Sequence, residues 1–568
     1  MALSNLNTPG VYVEEISTFP ASIAAVGTAI PAFIGYTETG SENTPIRIAS
    51  LIEFNQFFGG AYKEIYKATL NGSDELQGVT PSTVESKYNL YYHLQMYFAN
   101  GGGPCHIISV GHYDPASPVI VAKDFYDSLN PANGIGAAEL VDEVTLLVAP
   151  EVAELTSDAD ILSVYTAMLT QCNKLRDRFC IFDVNTTLPH DVVADTTKFR
   201  NFQVGANFLK YGAAYYPPLD TILRRSYSSD EVLITGGSFA AAPNNRLSTI
   251  LEGIGTYTTL DISPGGPGDS FTITAGSTSA TFTFGVDFSS TPSEEDVVNA
   301  INNHPTLSLV VRAQVGTGSN IQIVVRKATA DTNSATLLVG GLAPFAGPYA
   351  NVAGVANSQN TTLYNAIAAA IGSRVLTLGP SATMAGIYAA VDNARGVWKA
   401  PANVSVANII GPNFLVTEKQ QGDLNIDATS GKSINVIRTF TGRGTLVWGA
   451  RTLEGNSNEW RYVPVRRLFI MVEESAKKAS EFVVFEPNDK STWLRVKGMI
   501  SNFLTDLWKQ GALAGEKPEQ AFFVRVGLGE TMTAQDILEG KMIVSIGLAA
   551  VRPAEFIVLQ FMHKLQEA

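Results

Sequence analysis

Residues 144–184 read VTLLVAPEVAELTSDADILSVYTAMLTQCNKLRDRFCIFDV. Val144 to Val148 is a short, mostly apolar run of the kind that forms a buried strand. Ser157 and Asp158 are both residue types that cap helices. Ile161, Leu162, Val164, Tyr165, Met168, Cys172, Leu175 and Phe179 then recur at near-helical spacing. Phe179 to Val184 is a second short apolar run. A strand, a helix and a strand in this order imply a parallel sheet with a right-handed crossover.

The same alternation extends outward on both sides. Ala29 to Gly35 reads as a buried strand. Residues 88–99 are aromatic-rich and long enough for a helix, which Gly101-Gly102-Gly103-Pro104 ends. Cys105 to Val110 reads as the next strand. Downstream, Thr361 to Ile371 and Ala382 to Ala394 have helical patterns. Between them, 256–348 changes character, with three basic and seven acidic residues and many Thr, Ser and Gly. Ser270 to Thr274 and Thr281 to Phe284 alternate at period two, as half-buried strands do. Glu294 to Ile301 reads as one helix, and Leu307 to Ala313 and Asn320 to Arg326 as two further strands. This stretch is expected to be a compact, mostly β domain inserted into the α/β domain. Residues 1–25 are different again. Val11-Tyr12-Val13-Glu14-Glu15-Ile16 is an isolated β-prone run that needs a sheet edge to pair with.

The 568 residues suggest several domains. Hydrophobic residues are 45% and charged residues 16%, which excludes a disordered chain. The net charge of −14 argues against nucleic acid as a partner. The charge is uneven: 431–568 holds 18 Lys and Arg against 15 Asp and Glu, and the rest 21 against 38. A mildly basic end on an acidic protein suggests that this end faces an acidic partner. No stretch has the length and apolarity of a membrane-spanning helix. The first 25 residues carry no secretory signal pattern. Cys105, Cys172 and Cys180 read as small buried residues; Cys172 and Cys180 are placed near opposite ends of one helix, without disulfide geometry.

Catalytic patterns are weak. Gly431-Lys432-Ser433 resembles the end of a phosphate-binding loop, but Ile426 stands where that motif needs a glycine. The six histidines form no pair at helical metal spacing. Residues 379–386, GPSATMAG, faintly resemble the nucleophile helix of subtilisin-type proteases, with Asp183 and His190 upstream in the matching order. A triad needs its base within hydrogen-bond reach of the nucleophile. His190 lies in a Leu-Pro-His-Asp turn, and Ser381 is expected to cap the helix that follows it. No cofactor, metal or catalytic residue is expected. The runner-up reading is a secreted hydrolase or adhesin with a β-rich accessory domain.

Four segments together resemble the contractile tail sheath family of phages, R-type pyocins and extracellular injection systems. They are Thr8 to Glu15 (TPGVYVEE), Ala390 to Asn403 (AVDNARGVWKAPAN), Asn435 to Leu453 continuing into Trp460 to Arg467, and Phe485 to Leu513 continuing into Arg552 to Val558. In the second, Trp398 is expected in the core, with Pro401 ending the element.

The resemblance implies a multidomain α/β and α+β fold. Residues 26–255 and 349–430 would form a subtilisin-like α/β middle domain without that activity. Residues 256–348 would be an inserted outer domain, and 431–552 a C-terminal α+β domain facing an inner tube. Residues 1–25 and 553–568 would be linking arms. The resemblance also implies a homo-oligomer, built as a helix or stacked rings around an inner tube protein, with baseplate and terminator or cap proteins at its ends. A membrane would be met only as the target. Assembly would occur in the bacterial cytoplasm, in a phage tail or a particle that can leave the cell. The arms would link neighbours by β-strand augmentation through Val11, Tyr12 and Val13 at one end and Phe556, Ile557, Val558 and Leu559 at the other. Lys497, Lys509 and Lys517, in or beside a helix expected from Gly498 to Gln510, are the candidate tube contacts; the plain alternative is a solvated helix face.

Overall fold

A computed structural model describes residues 23–558, apart from 83, 116–117, 187–189, 240–244, 253–256, 264, 276, 316–319, 326–336, 342–344 and 346–359. Its centre is an eight-stranded sheet. The strands are β1 (Pro31–Thr37), β2 (Ile46–Ile48), β3 (Cys105–His112), β4 (Leu146–Val148), β5 (Phe179–Asp183), β6 (Gly212–Tyr216), β7 (Ile434–Phe440) and β8 (Gly444–Val447). They lie in the order β2-β3-β1-β4-β5-β6-β7-β8. The six from β3 to β7 are mutually parallel, and the outer two run antiparallel to their neighbours. Every residue of β1, β5 and β6 is buried, as befits strands covered on both faces.

Three helices cover these strands: α1 (Leu90–Ala99), α2 (Asp158–Leu175) and α3 (Ser381–Arg395). Successive residues of a strand point to opposite faces. Phe182 of β5 meets Tyr165 of α2, whereas Asp183 meets Ser381 of α3, so α2 and α3 lie on opposite sides. The helix α1 stops as its glycines suggest: Gly101 adopts φ +93°, and Gly102 N donates to the Tyr97 carbonyl at 3.0 Å. It packs closely on α3 because Gly386 has no side chain there; a Cβ would lie 2.4 Å from the Tyr97 carbonyl oxygen.

Two expectations need correction. Cys180 stands on β5, not on the helix with Cys172. The chain reverses between them, and the two thiols meet at 3.2 Å in the buried α2–β5 contact. Leu307 to Ala313 is not one strand. A 3-10 turn, Leu307–Leu309, precedes a strand at Val311–Val315, and Leu307 turns into the core of the inserted region.

That region has its own core, with Phe271, Phe282, Phe284 and Phe345 at its centre and two three-stranded sheets around it. A separate cluster joins the helices Leu247–Glu252 and Thr361–Gly372 to the strand Tyr66–Leu70. The C-terminal part is built on α4 (Val463–Ala479) and α5 (Lys490–Lys509). Leu468, Met471 and Val472 of α4 pack against Val496, Ile500, Phe503 and Leu507 of α5. Ile23 and Val397 join this core, while Trp398 is only half-buried, lying over Gly396. Among the described strands, β9 (Phe522–Arg525) and β10 (Ser545–Leu548) pair only with each other.

Candidate assembly site

At the carboxyl ends of the parallel strands, where open α/β sheets bind ligands, two buried carboxyl groups are bonded to the protein's own groups. The chain reverses direction across the sheet between β1 and β4. There Glu151, fully buried, accepts bonds from the backbone N–H groups of Tyr36 (2.9 Å), Asn89 (2.7 Å) and Leu90 (2.9 Å). Burial raises its carboxyl to about 8, against the pull of those N–H groups.

At the end of β5, Asp183 accepts the backbone N–H of Ser381 at 2.7 Å and also its hydroxyl. Ser381 therefore does not cap α3. It is the first helical residue, and its hydroxyl points across to the strand rather than back along the helix. Its side chain is buried and already donating, and His190 is stacked on Phe414 with centroids 4.4 Å apart. A cavity of about 580 Å³ is lined by Asp183, His190 and Gly379 but not by Ser381. The three residues of the protease-like pattern thus do not form a nucleophile–base pair. Lys432 is equally committed: its amine donates to the carbonyls of Arg200 and Val204. Among the described residues, no group of His, Cys, Asp and Glu is arranged to hold a metal ion.

The chain ends present a different arrangement. Glu555, just past the last strand, accepts four hydrogen bonds. Arg451 grips it with two prongs, Nε to Oε1 at 2.9 Å and Nη2 to Oε2 at 2.7 Å. Tyr462 donates at 2.9 Å and Asn425 at 2.6 Å. Burial would raise this carboxyl, but the Arg451 and Asn425 bonds outweigh it and hold it below its ordinary value. The next residues emerge into solvent: Phe556 is 67% exposed, Ile557 78% and Val558 79%. They form no strand with the described residues. Leu559 and Val11, Tyr12 and Val13 lie outside the described residues.

Near the other end, Thr28 is held in a similar way. Arg467 spans both oxygens of Asp392 (3.0 and 2.6 Å) and donates to the Thr28 carbonyl at 2.7 Å. The Thr28 hydroxyl donates to Asp392 at 2.6 Å. None of Arg451, Glu555, Arg467 or Asp392 was assigned a role from sequence. The signal available was their charge within the motif segments, where a charged residue amid apolar ones needs a partner when buried.

The three lysines are not brought together. Lys497 is half-buried in the first half of α5, and Lys509 is exposed at its end, 3.5 Å from Asp506. At 1.5 Å per residue they stand about 18 Å apart. Lys517 precedes the short helix Pro518–Ala521 and is exposed. The helix itself starts at Lys490, earlier than the expected Gly498.

The described residues thus combine a sheet buried on both faces with two outlying segments, around Thr28 and Glu555, that buried arginines hold to the body. Comparison with known proteins is specific. Residues 456–563 match the phage tail sheath C-terminal domain. The chain is 25% identical over 186 residues to the tail sheath protein of Vibrio phage KVP40, covering 33% of this chain and 26% of that protein. It is 28% identical over 112 residues to the tail sheath protein of Enterobacteria phage T4, covering 20% and 17%. The chain thus spans about a quarter or less of the length of these relatives.

Solved structures match over nearly the whole chain. The PVC sheath complex of an extracellular contractile injection system, in its contracted state, superposes with a TM-score of 0.55 at 28% identity, over 98% of both chains. The contracted helical sheath of the anti-feeding prophage gives 0.53 at 26% identity, over 98% of this chain and 99% of that one. The resemblance read from the four sequence segments is therefore borne out: the chain is similar to contractile tail sheath proteins, and its mixed α/β multidomain fold is theirs.

Proposed function

We propose that this protein is the structural subunit of a contractile sheath. It polymerises around an inner tube in an extended state and contracts to drive the tube through a target membrane. The observation that carries this reading is the match to two contracted sheath assemblies along nearly the whole chain. The last described residues support it: an anchored Glu555 is followed by exposed Phe556, Ile557 and Val558, and the two-stranded sheet β9–β10 pairs with no other described strand. An exposed strand edge and an exposed apolar segment are complementary halves of β-augmentation.

On this reading Val11, Tyr12, Val13 and Phe556 to Leu559 pair with neighbouring copies. The division into arms (1–25 and 553–568), middle domain (26–255 and 349–430), insertion (256–348) and tube-facing C-terminal domain (431–552) belongs to the proposal. So do the subtilisin-like descent of the middle domain, supported by Asp183 and Ser381 meeting at the end of β5, and the absence of catalysis. The partners are further copies of the chain, an inner tube, a baseplate and a cap. Assembly takes place in the bacterial cytoplasm. A chain of the anti-feeding prophage baseplate structure is also similar to this one, which supports the baseplate contact.

Negative-stain electron microscopy of the protein with and without its candidate inner tube tests the reading. Hollow, helically striated cylinders whose length follows the tube are expected. Dispersed monomers under both conditions would overturn it.

A further inference from the structure

Both chain ends lead, through buried arginines, to the same strand of the central sheet. From the C-terminal side, Glu555 is gripped by Arg451, whose backbone N–H donates to Asn435 Oδ1 at 2.7 Å and whose carbonyl accepts from Asn435 Nδ2 at 2.8 Å. That same Asn435 amide on β7 donates to the Ala214 carbonyl on β6 at 3.1 Å. From the N-terminal side, Thr28 is gripped by Arg467 and Asp392. The Arg467 guanidinium lies 4.5 Å from the centre of the Tyr388 ring, and the Tyr388 hydroxyl meets that of Tyr215 on β6 at 2.7 Å. The two routes end on adjacent residues, Ala214 and Tyr215.

We infer that Arg451 and Arg467 are load anchors: they fix the roots of the two arms, Glu555 and Thr28, to the β6 region of the sheet, so that tension on an arm moves the whole body. The inference rests on the sheath reading above and adds to it the place where arm and body are joined.

The plainer interpretation is that both are ordinary buried ion pairs that stabilise the fold. The position of Glu555 separates the two. It lies beyond β10, and Phe556 to Val558 after it are exposed. Losing its grip leaves Arg451 without its counter-charge, but the only chain it sets free is the exposed tail, so the chain that the four bonds hold in place is the root of the arm. The geometry suits an anchor. A two-pronged arginine–carboxylate pair fixes orientation as well as distance. Arg451 is itself held on its other side by the carbonyls of Asn425 and Gly455, both at 3.3 Å. A pull on the tail is therefore distributed over three separate stretches of chain rather than peeling one of them.

The test uses the full-length protein and two conservative variants, Glu555→Gln and Thr28→Val. Neither removes an arginine, so each body is expected to fold. Three readouts are compared with wild type: thermal melting of the isolated subunit, the rate of chymotryptic cleavage after Phe556, which needs the gripped Glu555 beside it to come free, and the urea concentration at which assembled sheaths shed subunits. For Glu555→Gln we expect melting lowered by no more than a few degrees, since the buried Arg451 loses its counter-charge but keeps the carbonyls of Asn425 and Gly455, cleavage after Phe556 several-fold faster, and shedding at lower urea. Thr28→Val removes the hydroxyl bond to Asp392 and leaves the Arg467 bond to the Thr28 carbonyl, so it should shed at modestly lower urea, less than Glu555→Gln, with unchanged melting. Sheaths of both variants as durable as wild type would overturn the anchor role, and so would unchanged cleavage after Phe556 in Glu555→Gln. A wild-type protein that forms no assembly at all would overturn the sheath reading, and the load role with it. Wild-type sheaths that form normally beside equally durable variants would overturn the anchors alone.

Discussion

Asp183 occupies the end of β5, where a parallel sheet presents its reactive groups, and its surroundings favour its neutral form. Burial raises its carboxyl to about 7, with the two Ser381 bonds pulling the other way. The unfolded chain loses this proton near the ordinary carboxylate value, just below 4. Between those limits the folded state holds more protons than the unfolded one, so this group's contribution to stability falls as pH rises from about 4 to about 7. Asp183→Asn is uncharged throughout and can still accept from the Ser381 N–H. The variant should gain on wild type across that window, by at most about 4 kcal/mol. Urea midpoints of the two proteins at several pH values between about 4 and 8 would measure it; parallel curves would show that Asp183 is ionised in the folded state. Glu151 adds a slope of the same sign to both proteins and cancels in the difference. The sequence showed that Asp183, His190 and Ser381 occur in a suggestive order. It could not show that the serine bonds the aspartate directly, because that depends on how two elements 198 residues apart meet.

At the scale of elements, periodicity carried the reading. The helices and strands around β1, α1, β3, α2, β5 and α3 were legible because each has an uninterrupted apolar pattern at one period. Misreadings fell where local pattern does not decide. Cys180 was given to a helix because Phe179 continues the helical spacing of α2, whereas Arg176, in the left-handed conformation, ends it. The α1–α3 contact was equally invisible, although Gly386 was in view. Gly386→Val would drive a side chain into the Tyr97 carbonyl 2.4 Å away and should cost about 1–3 kcal/mol in denaturant unfolding. Gly72→Ala, where nothing lies within 4 Å, is the control and should change little. For α5, the tube-contact proposal makes a separable prediction. Lys497→Glu should weaken co-sedimentation with an acidic inner tube by up to about tenfold. The loss should shrink from about 0.05 M to about 0.5 M salt, because exposed charge pairs are weak and screened. Lys509 already has Asp506 beside it, so Lys509→Glu should matter less. No effect at either position at low salt would remove α5 from the tube-facing surface.

At the scale of the whole molecule, the change of composition near residue 256 coincides with a separate apolar core from Leu260 to Phe345, because a region with its own core needs its own alternating pattern; the proposed insertion rests on that core. What the sequence withheld is how its described residues meet the rest of the chain. Its core and the central core share no residue. The described polar contacts with the rest of the chain centre on Arg312, which donates to Asp230 at 2.8 Å and Ser248 at 2.9 Å, and on Gln314, which accepts from Arg246 at 3.4 Å. The helices before and after it, Leu247–Glu252 and Thr361–Gly372, pack in one cluster through Leu247, Ile250, Leu363 and Ile367, so the two ends of the excision stay seated without it. Closing a loop there costs little more than it does now, since closure entropy grows only with the logarithm of length. Removing 257–345 should therefore leave a protein that melts within a few degrees of wild type, the size of change expected from about 1 kcal/mol. If the insertion decorates the outside of a sheath, the shortened protein should also assemble around the tube into cylinders of smaller outer diameter and unchanged subunit repeat, visible by electron microscopy. A shortened protein that melts normally but no longer assembles would place the insertion within the subunit contacts, and the outer-surface assignment would fall.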